Sequence, residues 1–105
     1  MAYFITITFD LRHASQSMYG NDAYRRINRA LEAHSYLKKV EKRNGDLAEL
    51  PANTYVAKIE GQFRSQLAVV ERVESDIRHV FRACGVRGKF FIVCGRRWAW
   101  KRGHF

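Results

Sequence analysis

A chain of 105 residues is long enough for one domain around a single core and too short for two. Hydrophobic residues make up 47%, which excludes a disordered chain, and 19 Lys and Arg against 10 Asp and Glu leave a formal charge of +9 that draws acidic partners to the whole surface. Nucleic acid heads those partners. No apolar run approaches the ~20 residues that span a bilayer, and the N-terminus lacks the basic and apolar regions of a leader, so a cytoplasmic protein with no membrane contact is expected.

Tyr3-Phe4-Ile5-Thr6-Ile7-Thr8-Phe9-Asp10 is an unbroken run of aromatic and β-branched residues ending in a carboxylate, which predicts an inner strand with an acid at its carboxyl end. Alternation puts Tyr3, Ile5, Ile7 and Phe9 on a core face. Phe4, Thr6, Thr8 and Asp10 share the other, half-polar face, an open surface or part of an interface. Leu11 to Tyr19 reads as a polar loop carrying Arg12, His13 and Ser15. Gly20-Asn21-Asp22 offers a helix start with Asn21 as the cap. Tyr24, Ile27 and Leu31, with His34 or Ser35, supply an apolar stripe. Arg25, Arg26 and Arg29 lie off it, as a solvated face or a flank that guides a phosphate chain.

Leu37 to Arg43 is short and charged, as an edge strand tolerates. Asn44-Gly45 signals a turn, Pro51 interrupts the chain, and Asn53 to Glu60 alternates as a third strand. Phe63, Leu67, Val70, Val73, Ile77, Val80, Phe81 and Cys84 fall on helical spacing. Arg64, Glu71, Arg72, Glu74, Asp76 and Arg78 form the outside of this helix, with Ser65 or a residue just before it at the start and Gly85 at the stop. Lys89-Phe90-Phe91-Ile92-Val93-Cys94 is the last strand, ended by Gly95. Cys84 and Cys94 stand ten apart without a C-x-x-C or a His pair, so they read as small buried hydrophobes rather than zinc ligands.

Strand, helix, strand, strand, helix, strand describes an α+β domain of the ferredoxin-like kind, βαββαβ, over residues 1–95. A four-stranded antiparallel sheet is expected, with two helices on one face and the first and third strands central. Residues 96–105 form a basic, tryptophan-containing tail. Six basic residues and no acidic ones lie between Gly85 and Phe105, two thirds of the net charge in the last fifth of the chain. Arg96, Arg97, Lys101 and Arg102 interleaved with Trp98, Trp100 and Phe105 suit stacking on bases and contact with phosphates. Arg25 and Arg29 join them as candidate phosphate contacts.

Asp10 at a strand end is a candidate ligand for Mg²⁺, which prefers one or two carboxylates and several waters. The opening Ile5-Thr6-Ile7-Thr8-Phe9-Asp10-Leu11, the length and the layout resemble the small ferredoxin-like nucleases of the Cas2 type, with the related VapD toxins and GhoS antitoxins. The resemblance covers residues 3–95 in outline and implies a small endoribonuclease, in a toxin-antitoxin or defence setting. It further implies a homodimer in which Asp10 from two chains brackets a divalent metal. A GhoS-like mechanism instead makes His13 and Arg12 the acid-base and phosphate-contacting residues. No second acid lies near Asp10 in sequence, a departure that leaves a single chain with a poor metal site.

Binding without catalysis is the other class. RNA-recognition modules stack bases on sheet aromatics, and Phe4, Tyr55 and Phe91 are the candidates here. Arg87-Gly88-Lys89-Phe90-Phe91 echoes the motif of those modules but falls on the last strand with the wrong spacing, a coincidence. A small phage or plasmid inhibitor or antitoxin that binds a protein or ribonucleoprotein partner is the remaining alternative.

Overall fold

The computed structural model describes residues 1–12 and 22–105. In chain order it contains β1 (Ala2–Arg12), α1 (Ala23–Ala33), β2 (Lys39–Glu41), β3 (Leu47–Glu49), β4 (Thr54–Glu60), α2 (Gln66–Ala83) and β5 (Arg87–Gly95). The alternation read from the first strand is present: Tyr3, Ile5, Ile7 and Phe9 are buried, while Thr8 and Asp10 are exposed. β1 is the centre of a three-stranded antiparallel sheet in the order β4-β1-β5.

β1 runs on past its acid. Leu11 and Arg12, expected in a loop, pair with Gly88 and Arg87 of β5, so Asp10 lies inside the strand rather than at its end. Backbone approach there is so close that a Cβ at position 88 would collide with the Asp10 carbonyl oxygen, which restricts the position to glycine. His13, Ser15 and Asn21 lie outside the described residues.

The single four-stranded sheet does not form. Leu37 makes one antiparallel bridge to Val56, after which the chain pairs with itself as the β2-β3 hairpin, Val40 opposite Ala48. Asn44-Gly45 makes the hairpin turn as its residues suggest, with Gly45 N–H donating to the Lys42 carbonyl at 3.0 Å. Val40 and Ala48 are thereby buried against Val56, apolar contact that a flat edge strand would have left in water. β4 is consequently held by a full strand on one side only, and β1 alone is central. β3 was not legible: three residues, Leu47-Ala48-Glu49, carry no period.

Both helices cover the face of Tyr3, Ile5, Ile7 and Phe9. Ile27 and Leu31 from α1 meet Val69, Val73, Ile77 and Val80 from α2 in one core with Tyr36, Tyr55 and Ala57. The stripes differ from the predicted ones. α1 buries Ala23 rather than Tyr24, which is one step round the helix and exposed. α2 buries Val69; Leu67, two positions earlier and so ~200° round the axis, is 65% exposed.

Ser65 caps α2, its Oγ accepting from the Ala68 N–H at 3.1 Å. Asp22 stands at the N-cap of α1 without a capping bond and pairs with Arg25 at 3.5 Å instead. Both helices end in the same way. Gly85 at φ 63° sends its N–H to the Arg82 carbonyl while Val86 bonds Phe81, and Ser35 at φ 67° bonds Glu32 while Tyr36 bonds Leu31. α1 thus stops on a left-handed serine where α2 stops on glycine.

Two tyrosines tie the layers together. Tyr36 Oη donates to Asp76 Oδ2 at 2.8 Å, and burial followed by this bond pushes its hydroxyl well above the usual range. Tyr55 Oη donates to Asn28 Oδ1 at 2.8 Å, and burial, helped by the charge of Glu32, pushes it up to about 12. Cys84 and Cys94 are free thiols, both pushed up chiefly by burial. No helix among the described residues is long and apolar enough to cross a membrane.

Candidate nucleic-acid interface

The face of the sheet away from the helices carries Phe4, Thr6, Thr8 and Asp10 from β1. Opposite them on β5 stand Gly95, Val93, Phe91 and Lys89, and β4 adds Lys58, Val56 and Thr54. Its two halves differ. The half around Phe4 and Val56 is covered by the chain's own C-terminal segment, whereas toward Asp10 the face is bare, with Phe91 66% and Val93 49% exposed.

Trp98 makes the cover. Its ring meets Phe4 edge-on at 4.8 Å and 82°, and it packs with Leu50 against the Val40, Ala48 and Val56 cluster. Residues 96–105 contain no helix or strand but do not hang free of the domain. Trp98 is half-buried and therefore not the exposed base-stacking ring expected; Trp100, 43% exposed, and Phe105 keep accessible faces. A recess of ≈ 310 Å³ opens between the segment and the sheet face, lined by Thr6, Thr54, Val93, Arg97, Trp98 and Trp100.

The basic residues of the tail diverge. Arg97 lines the recess on the open face, whereas the Arg96 guanidinium sits 5.2 Å over the ring of Tyr3, a side chain of the core face. Arg102 reaches the region of Glu49 and Pro51 with its Nη1 3.5 Å from His104 Nε2, and Lys101 is exposed. Arg25 and Arg29 are exposed on α1, across the sheet from this face. Tyr55, expected on the open face, is buried in the core and stacks on Phe9 at 5.9 Å, because its register opposite Ile7 turns it toward the helices.

Asp10 lies in a shallow depression of ≈ 380 Å³ with Thr8, Asn53, Lys89 and Phe91. Its direct cross-strand neighbour is Lys89. Among the described residues no three His, Cys, Asp or Glu side chains come together. A single carboxylate opposite an ammonium group is not by itself a Mg²⁺ site. Arg12, two positions on, opens onto a separate groove of ≈ 510 Å³ with Arg78, Arg82 and Arg87. Sequence reasoning missed this groove, since only Arg78 and Arg82 share a helical spacing and Arg12 and Arg87 come from two other elements.

Comparison with known protein families, with curated proteins and with solved structures finds no match to this chain.

Proposed function

We propose that this protein is a nucleic-acid-binding domain, with RNA favoured, that takes a single strand along the bare half of its sheet. The observation that carries the reading is Phe91, two thirds exposed on β5 between outward-facing Lys89 and Val93 and opposite Thr8. An exposed aromatic ring in a field of net positive charge offers a base a stacking partner and its phosphates a cation. Trp100 and Arg97 continue the same chemistry at the edge of the covered half. We read the architecture as a ferredoxin-like domain whose fourth strand has shrunk to the Leu37–Val56 bridge, an arrangement that presents sheet aromatics to single-stranded RNA.

Cleavage centred on Asp10 is the second reading, favoured by the exposure of that carboxylate beside Phe91 on the same face. Two measurements on the same RNA test the site and separate the readings. Fluorescence anisotropy with a labelled single-stranded RNA, the DNA of the same sequence and an RNA duplex should show the single strand preferred, and Phe91→Ala should weaken it about 5- to 150-fold, the loss of one stacked base. Equal binding by Phe91→Ala would refute the face as the site. Running the bound RNA on a gel with Mg²⁺ and with EDTA, for wild type and Asp10→Ala, then reports cleavage. Products from wild type that vanish in Asp10→Ala favour the endoribonuclease, and intact RNA favours binding alone.

A further inference from the structure

We propose that the groove formed by Arg12, Arg78, Arg82 and Arg87 receives consecutive phosphates of the nucleic-acid strand as it leaves the Phe91 end of the sheet, an inference that rests on the reading above. Arg12 closes β1 and Arg87 opens β5, and the two are direct cross-strand partners. Like charges directly opposite each other destabilise a sheet. Arg82 and Arg78 are added from the C-terminal half of α2 across the same groove. The negative end of the α2 dipole accounts for Arg82 but for neither strand arginine.

Arg78 is fixed from two sides. Its Nε bonds Glu74 Oε2 at 2.8 Å and its guanidinium lies 5.0 Å over the ring of Phe90. It therefore forms a rigid wall with its charge shared. Among the described residues Arg12, Arg82 and Arg87 have no carboxylate partner. Three guanidiniums of one sign held around one groove are the arrangement that an anion with several acceptor oxygens relieves, through paired N–H···O bonds.

The position of the groove identifies the anion. Phe91, Lys89 and Arg87 point out of β5 on the same face at two-residue intervals, roughly 6.6 Å apart at ~3.3 Å per residue. A strand stacked on Phe91 and running toward the start of β5 would pass Lys89 and enter the groove at Arg87, about 13 Å away. Arg87 and Arg12 stand at the end of the sheet, so the strand would turn there from the open face over the sheet end to Arg78 and Arg82 on the helix side, with a cation at each step of the path.

The test compares the triple variant Arg12→Gln/Arg82→Gln/Arg87→Gln with a control that loses the same charge elsewhere, Lys42→Gln/Arg43→Gln/Arg64→Gln. Affinity for a labelled dodecameric single-stranded RNA is measured by anisotropy between 50 and 300 mM salt. The groove variant should bind at least about tenfold more weakly at 0.15 M salt, and its log–log salt slope should be smaller by about 2, the release of three counterions at ~0.7 each. The control should retain most of the wild-type slope. Arg12→Lys/Arg82→Lys/Arg87→Lys, which keeps the charge, should recover the slope and so exclude misfolding as the cause. Equal loss in the groove variant and the control would overturn the groove while wild-type binding leaves the sheet-face site standing. Failure of the wild type to bind RNA would overturn both.

Discussion

Replacing Trp98 with alanine separates a structural role for the C-terminal segment from a direct role in binding. The ring packs edge-on to Phe4 and closes the small cluster of Val40, Ala48, Val56 and Leu50, so the substitution removes apolar burial and an aromatic pair together. A fully buried Trp→Ala change costs about 3–5 kcal/mol. Trp98 is half-buried, which lowers the expectation to about 2–3 kcal/mol, including roughly 1 kcal/mol from the pair with Phe4. For a chain of this length, at ~2.1 cal/mol/K per residue, 2.5 kcal/mol corresponds to a fall in Tm of about 11 °C. Urea unfolding followed by circular dichroism should give that loss, and the cycle with Phe4→Ala should return a coupling of about 1 kcal/mol. The same change uncovers Phe4 and Thr6, so RNA affinity should be retained or increased. A stability loss below about 0.5 kcal/mol together with a loss of binding would refute the reasoning and return Trp98 to the role of a stacking ring.

Two further outcomes follow from the helix ends and the buried tyrosines. Ser35→Gly should stabilise the protein by about 0.5–1 kcal/mol in urea, since Ser35 is held at φ 67° where a side chain is strained and glycine is not. A loss of stability would show that the hydroxyl makes a contribution larger than that strain. Tyr55, pushed up to about 12, favours the folded state while protonated. Its contribution is fully present below the unfolded tyrosine value near pH 10 and is lost as pH rises from there to about 12, some 2–3 kcal/mol in all. Tyr55→Phe should therefore flatten stability against pH in that window; an unchanged alkaline slope would contradict it.

The covered and bare halves of the sheet bear differently on function. The chain places its own tryptophan over the apolar half near Phe4 and leaves Phe91 and Val93, beside Lys89 and Asp10, in water. That asymmetry directs attention to the Phe91 end, where the sheet meets the four-arginine groove. The concentration of charge in residues 96–105, which dominates the sequence, is divided in space. Arg96 turns to the core side, Arg97 to the recess and Arg102 to the hairpin.

β1 and the sides of its alternation were legible because a strand has a period of two and its residue types agree with it. α2 was legible in extent, with its serine and glycine ends, because capping chemistry is local. Which helical residues faced inward was less so: in α2 the apolar residues spread beyond one stripe, and only packing against the sheet selected Val69 over Leu67. The sequence alone determined the order of the main elements, the face on which Asp10 lies and the sign of the surface charge. The tertiary structure decided the rest: the hairpin in place of a fourth strand, the burial of Trp98, and the meeting of Arg12, Arg78, Arg82 and Arg87. The burial of Trp98 and the arginine groove depend on contacts between residues tens of positions apart, which no local pattern of residue types records; the hairpin pairs residues close in sequence, but its apolar side is buried only by Val56 and Trp98.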